Sequence, residues 1–183
     1  MRLFTGIDVP YQMKRNLELL LHHLRPKARL QWSPLENLHI TTKFIGEWDE
    51  RRLDELKGAI ETVPRPAELR IAFRGLGWFP NPRQPRVFFV GITAPPGLPE
   101  LARSIEHACA RIGVQADNRE YQPHLTLARI RQPVDLLPLK KAIAELPEAD
   151  FGAFTAREYH LYRSELRPGG SLYTKLATFP FPA

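Results

Sequence analysis

Asn37-Leu38-His39-Ile40-Thr41-Thr42-Lys43-Phe44-Ile45-Gly46 is the stretch on which the fold turns. It sets a hydroxyl two residues after an imidazole, inside a largely apolar run closed by glycine. In an extended strand, residues i and i+2 share a face. His39 and Thr41 then point together to one side, and Ile40 points to a core. The pattern returns at His124-Leu125-Thr126, 85 residues later in a chain of 183. Two such strands, one in each half, predict a site where two histidines and two threonines converge.

Hydrophobic periodicity places the other elements around these strands. Residues 3–9 read as a strand ended by Pro10. Residues 11–24 read as a helix, with Leu17, Leu20, Leu21 and Leu24 at helical spacing. A second helix over 49–63 has Asp49 as its cap. Strands are expected over 67–76 and 87–92, with 77–83 as a loop between them. A helix over 98–112 ends at Gly113, and Pro123 leads into the second histidine strand, 124–130. A short helix over 136–146 precedes two final strands, 151–163 and 172–179, joined through Pro168-Gly169-Gly170. The order strand, helix, histidine strand, helix, further strands occurs twice. This predicts one α+β domain over 1–183, with pseudo-symmetric halves divided near 92–97.

Composition limits the function classes. Charged residues make up 25% and hydrophobic residues 43%, as in ordinary globular proteins. The formal net charge of +6 favours a phosphorylated or polyanionic partner. The single cysteine, Cys109, allows no intrachain disulfide and no cysteine-rich metal site, and its apolar helical setting predicts an inert thiol. There is no signal-like opening and no apolar run long enough to span a membrane, so a cytoplasmic enzyme with no membrane partner is expected. The sequence specifies no oligomeric state.

The paired triplets suit acid–base chemistry. Imidazole changes charge near neutral pH, so one histidine can take a proton while the other gives one. Threonine hydroxyls can donate to phosphate oxygens. Metal binding by the two histidines, with Asp8 as a third ligand, is a weaker reading because no further ligand set accompanies them. Regular alternation puts Lys43 on the face of His39 and Thr41, as a candidate phosphate contact. It puts Arg129 on the face opposite His124 unless a bulge re-aims it. Arg83 and Arg86 are candidates for substrate contact or for a solvated basic loop. Trp32, Trp78 and Phe79 are candidates for stacking a base or for the core.

Several segments together carry a family resemblance. Arg2-Leu3-Phe4-Thr5-Gly6-Ile7, Trp32 with Glu36 to Thr41, Lys43-Phe44-Ile45-Gly46, Gly77 to Arg83 with Pro85-Arg86-Val87, and Pro123-His124-Leu125-Thr126-Leu127-Ala128-Arg129 span nearly the whole chain. In these the chain closely resembles the RNA 2′,3′-cyclic phosphodiesterases, once called 2′-5′ RNA ligases, of the two-histidine phosphoesterase superfamily. The resemblance implies a bilobal α+β fold with antiparallel sheets flanking a central cleft. It implies opening of a 2′,3′-cyclic phosphate at an RNA end to a 2′-phosphomonoester, with no cofactor and no required metal. In that reading His124 is the general base on water and His39 the general acid on the departing 3′-oxygen. Thr41 and Thr126 hold the non-bridging oxygens, and Arg129 is a further phosphate contact. Reversible 2′-5′ ligation, hydrolysis of small cyclic nucleotides or sugar phosphates, and non-catalytic binding of RNA ends are the alternatives. Thr42 and Thr5 depart from the family's more apolar residues; an outward or peripheral Thr42 would do little harm, and neither change touches the proposed chemistry.

Overall fold

Burial of one strand face and one helix stripe generates the architecture of the computed structural model, which describes residues 1–147 and 149–183. The elements run β1 (Arg2–Asp8), α1 (Tyr11–Leu24), β2 (Gln31–Trp32), β3 (His39–Glu47), α2 (Leu53–Glu61), β4 (Leu69–Phe79), β5 (Val87–Thr93), α3 (Gly97–Ala110), β6 (His124–Arg129), α4 (Leu137–Ala144), β7 (Asp150–Ala156), β8 (Glu158–Arg167) and β9 (Gly170–Pro180). Helix α1 buries Met13, Leu17, Leu20, Leu21 and Leu24, the stripe its spacing predicts. Helix α3 likewise buries Leu98, Leu101, Ala102, Ile105, Ala108 and Cys109. Burial pushes the Cys109 thiol up to about 11, which keeps it protonated at neutral pH.

The strands form a curled antiparallel sheet in the order β7-β4-β5-β6-β3-β1-β8-β9, with β2 on β6. This is the α+β architecture that the resemblance implies. The two histidine strands, β6 and β3, meet at the centre of that order. Their registered contact is one pair, Ile40 opposite Leu125, and both side chains are fully buried. The middle residues of the two triplets therefore form the seam of the sheet. The histidines and threonines on either side of them face the other way.

Two expectations are corrected. Residues 151–163 are not one strand. The chain changes position at Arg157, so β7 pairs with β4 at one edge while β8 pairs with β1 on the other side of the seam. No glycine or proline marks the change; its one local trace is the pair of successive charged residues Arg157-Glu158, across which the buried positions shift from Phe154 and Ala156 to Tyr159 and Leu161. Strand β4 also runs on through Gly77-Trp78-Phe79, where a loop is expected, because these residues pair with Phe89, Phe88 and Val87 of β5.

A bulge follows each triplet at the same place. On β3, Thr41 pairs with Gly6 and Lys43 pairs with Thr5, leaving Thr42 as the extra residue. On β6, Thr126 pairs with Phe89 and Ala128 with Phe88, leaving Leu127 extra. An extra residue reverses the facing of everything after it. The two strands consequently show one burial sequence from the histidine onward: half-buried, buried, half-buried, buried, buried, exposed.

Candidate active site

Each histidine is aimed by the backbone just before it. His39 Nδ1 lies 2.7 Å from the carbonyl oxygen of Asn37, and His124 Nδ1 lies 2.8 Å from that of Gln122. A carbonyl can only accept, so Nδ1 carries the proton in both rings and Nε2 is the nitrogen left for chemistry. His39 Nε2 stands 3.0 Å from Thr41 Oγ1. In the neutral ring Thr41 donates to Nε2. Once His39 is protonated, Nε2–H donates to Oγ1, and the threonine's own proton is released for another acceptor.

The walls are aromatic. Phe4 tilts over His39 with ring centroids 4.6 Å apart, and Tyr173 meets it edge-on at 5.2 Å. Phe79 and Phe89 stack on each other at 4.2 Å and meet His124 at 4.9 and 5.5 Å. Gly6 lets His39 lie close to β1, because an added Cβ would meet the Ile40 carbonyl oxygen at 2.9 Å and His39 Cδ2 at 3.5 Å. Loss of hydration, with the charge of Arg129 adding to it, brings His39 down to about 4 against the bond to Asn37 and the charge of Asp8. His124 is also lowered, chiefly by desolvation and then by Arg129, against the bond to Gln122. Both rings are therefore neutral at pH 7 before a ligand arrives.

The structure brings His39, Thr41, His124, Thr126 and Arg129 to one face. Arg129 arrives there because the Leu127 bulge re-aims it, the condition under which the sequence allowed it a place. Lys43 is the correction. The Thr42 bulge turns it to the opposite face, where its ammonium lies 2.8 Å from Glu106 Oε2 and 3.1 Å from the Gln115 carbonyl oxygen. Its side chain is 5% exposed, so it is a tie between β3 and α3 rather than a phosphate contact. Thr42 is also not peripheral. It is buried, and its hydroxyl bonds Thr5 Oγ1 at 2.7 Å. The two departures from the family pattern are each other's partners.

The remaining candidates separate cleanly. Trp32 and Trp78 both pack on buried Phe88, so they belong to the core side. Phe79 reaches the site. Arg83 and Arg86 are exposed in the loop after β4. Asp8 pairs with Lys175 at 2.7 Å and Lys14 at 3.8 Å. Among the described residues, no three His, Cys, Asp or Glu side chains gather as metal ligands would. No described helix is long and apolar enough to cross a membrane. Sequence reading missed Phe4, Phe89, Tyr121 and Tyr173. Phe4 and Tyr173 lie on strands outside the triplets that only pairing brings in, and Tyr121, in the segment before β6, reaches β3 through its hydroxyl.

Two His-x-Thr pairs on one face of a curled antiparallel sheet define a two-histidine phosphoesterase. The LigT-like phosphoesterase pattern matches residues 7–89 and again 90–173. The chain belongs to that family, the RNA 2′,3′-cyclic phosphodiesterases. It is 32% identical over 180 residues to the RNA 2′,3′-cyclic phosphodiesterase of Methanothermobacter thermautotrophicus, covering 97% of each chain. It superposes on the protein TT0787 of Thermus thermophilus with a TM-score of 0.83 at 28% identity, covering 99% of this chain and 98% of the other. With E. coli LigT in complex with 3′-AMP the TM-score is 0.79 at 26% identity, over 98% and 97% of the chains.

Proposed function

We propose that this protein hydrolyses the 2′,3′-cyclic phosphate at an RNA 3′ end to a 2′-phosphomonoester by general acid–base catalysis in the cytoplasm. The observation that carries the reading is the matched pair of imidazoles, each with Nδ1 fixed on a carbonyl and Nε2 left for chemistry, and each two residues before a threonine on the same strand face. His124 Nε2 takes a proton from water as its oxygen bonds to phosphorus. The bond from phosphorus to the 3′-oxygen breaks, and His39 Nε2–H gives that oxygen its proton. Thr41, Thr126 and Arg129 hold the non-bridging oxygens, where charge builds in the transition state. The assignment of base and acid follows the family resemblance, since the two histidines are nearly equivalent by symmetry. With a 5′-hydroxyl in place of water as the nucleophile, the same steps would join RNA ends through a 2′-5′ linkage, and their reverse would cleave that linkage.

A second reading, hydrolysis of cyclic mononucleotides, is favoured by the nucleotide 3′-AMP in the complex of E. coli LigT. One assay separates the two. A short RNA with a 2′,3′-cyclic phosphate and a cyclic mononucleotide are each treated in chelator, and the product phosphate is located by phosphorus NMR. The expected result is a 2′-phosphomonoester from the RNA, with turnover lowered about 10²-fold or more in folded His39→Ala and His124→Ala variants, because proton transfer contributes roughly 10²–10⁴. Turnover of the mononucleotide alone would select the second reading. Folded protein inactive on both would overturn catalysis and leave a role in binding RNA ends.

A further inference from the structure

The two ends of the histidine face carry different chemistry. Repetition of the bulge makes Phe44 the counterpart of Arg129, each standing three residues beyond its threonine and exposed. Phe44 is 51% exposed, whereas its apolar strand neighbours Ile40 and Ile45 are buried. It stands opposite Phe4 in register, and directly opposed residues of an antiparallel pair share a face. Phe4 lies against His39, so Phe44 opens onto the same face as the catalytic rings. Arg2, two residues before Phe4 on β1, lies with its guanidinium 5.0 Å from the centre of the Phe44 ring. Its charge also reaches Arg129 across the cleft.

A guanidinium beside an exposed phenyl ring is a surface on which a nucleobase stacks and a phosphate is neutralised. Phe44 stands five residues beyond His39, roughly 15 Å of strand. Unlike the guanidinium of Arg129 at the matching position, a phenyl ring has no donor for phosphate oxygens, so Phe44 suits a neighbouring base rather than the cyclic phosphate itself. We propose that Arg2 and Phe44 form a subsite for the nucleotide preceding the cyclic-phosphate end, Phe44 stacking its base and Arg2 holding the internucleotide phosphate. The subsite makes the cleft select oligonucleotides over cyclic mononucleotides. It rests on the RNA-end reading above.

The test compares kcat/KM for a trinucleotide ending in a 2′,3′-cyclic phosphate with kcat/KM for 2′,3′-cyclic AMP. The wild-type protein is expected to prefer the trinucleotide. Phe44→Ala and Arg2→Gln are each expected to lower that preference about tenfold, in line with stacking worth roughly 1–3 kcal/mol per base. Phe44→Trp restores it. Phe44→Leu keeps apolar bulk without an aromatic face and replaces the alanine variant should that one fail to fold. A wild-type protein without the preference, or variants that retain it in full while turning over both substrates, would overturn the subsite and leave the RNA-end activity standing. Wild-type protein inactive on both substrates would overturn that activity, and the subsite with it.

Discussion

The hydroxyl of Tyr121 donates a 2.8 Å hydrogen bond to the main-chain carbonyl oxygen of Thr41. The segment leading into the second triplet therefore holds the backbone of the first. The histidine strands share one registered pair, Ile40 with Leu125, so this bond is a second tie across a narrow seam. Burial raises the Tyr121 pKa, which keeps the phenol a donor at any pH where the protein works.

Tyr121→Phe keeps the ring and removes the donor. The bond's loss costs about 1 kcal/mol of stability. If the tie also sets the distance between the two triplets, kcat falls several-fold, up to about tenfold for a misplacement worth roughly 1.4 kcal/mol. Steady-state kinetics beside urea denaturation separates the effects. A midpoint shift with kcat untouched would make the bond purely structural.

The low histidine pKa values give the pH profile its shape. In the proposed mechanism His124 must be neutral and His39 protonated. His39 in the empty site titrates at about 4, so its protonated fraction falls as pH rises above that value. The profile of kcat/KM, which reports the free protein, should decline with pH from below neutrality. A bound phosphate anion raises His39, so the same decline in kcat should lie at higher pH. Arg129→Gln removes a charge that lowers both rings. It should move the kcat/KM limb upward even as the maximum falls. Coincident limbs in kcat and kcat/KM would contradict the assignment of His39 as acid.

The same depressed pKa appears in stability. The unfolded chain has His39 near its ordinary 6.5 and the folded chain near 4. Between these values the unfolded state binds more protons, so stability is full above pH 6.5 and is lost as pH falls toward 4. The loss is on the order of 3 kcal/mol. His39→Asn lacks that group and should lose less between about pH 7 and about pH 4.5 in urea denaturation. Equal losses in the two proteins would show that His39 does not govern this window.

Much of this site was legible in the sequence because its signal is local. His39 with Thr41, and His124 with Thr126, need only the period of a strand. Helix α1 needs only the spacing of its leucines. The faces of Lys43 and Arg129 were not legible by alternation, since both depend on an extra residue accommodated against a neighbouring strand. Leu127-Ala128 leaves a faint trace of that bulge as two successive apolar residues. Thr42-Lys43 hides it, because its two inward residues are polar and find partners, Thr5 and Glu106, far along the chain. The aromatic walls were hidden for the same reason: β8 and β9 join the first half of the sheet only through long-range pairing with β1.

Thr5 and Thr42 give a test of that hidden pairing. Both are buried, and each hydroxyl satisfies the other at 2.7 Å. Removing one leaves the other dry and unpartnered, at about 1–3 kcal/mol, whereas removing both deletes the polar pair altogether. Thr5→Val and Thr42→Val should each destabilise, and the double variant should be more stable than the sum of the two predicts. The coupling read from urea denaturation should exceed about 1 kcal/mol, in the range for contacting residues. Both residues lie on the face turned away from the histidines, so the doubly substituted protein should keep its turnover. Strictly additive losses would mean that the two hydroxyls do not depend on each other, and that their joint departure from the family pattern has no shared physical cause.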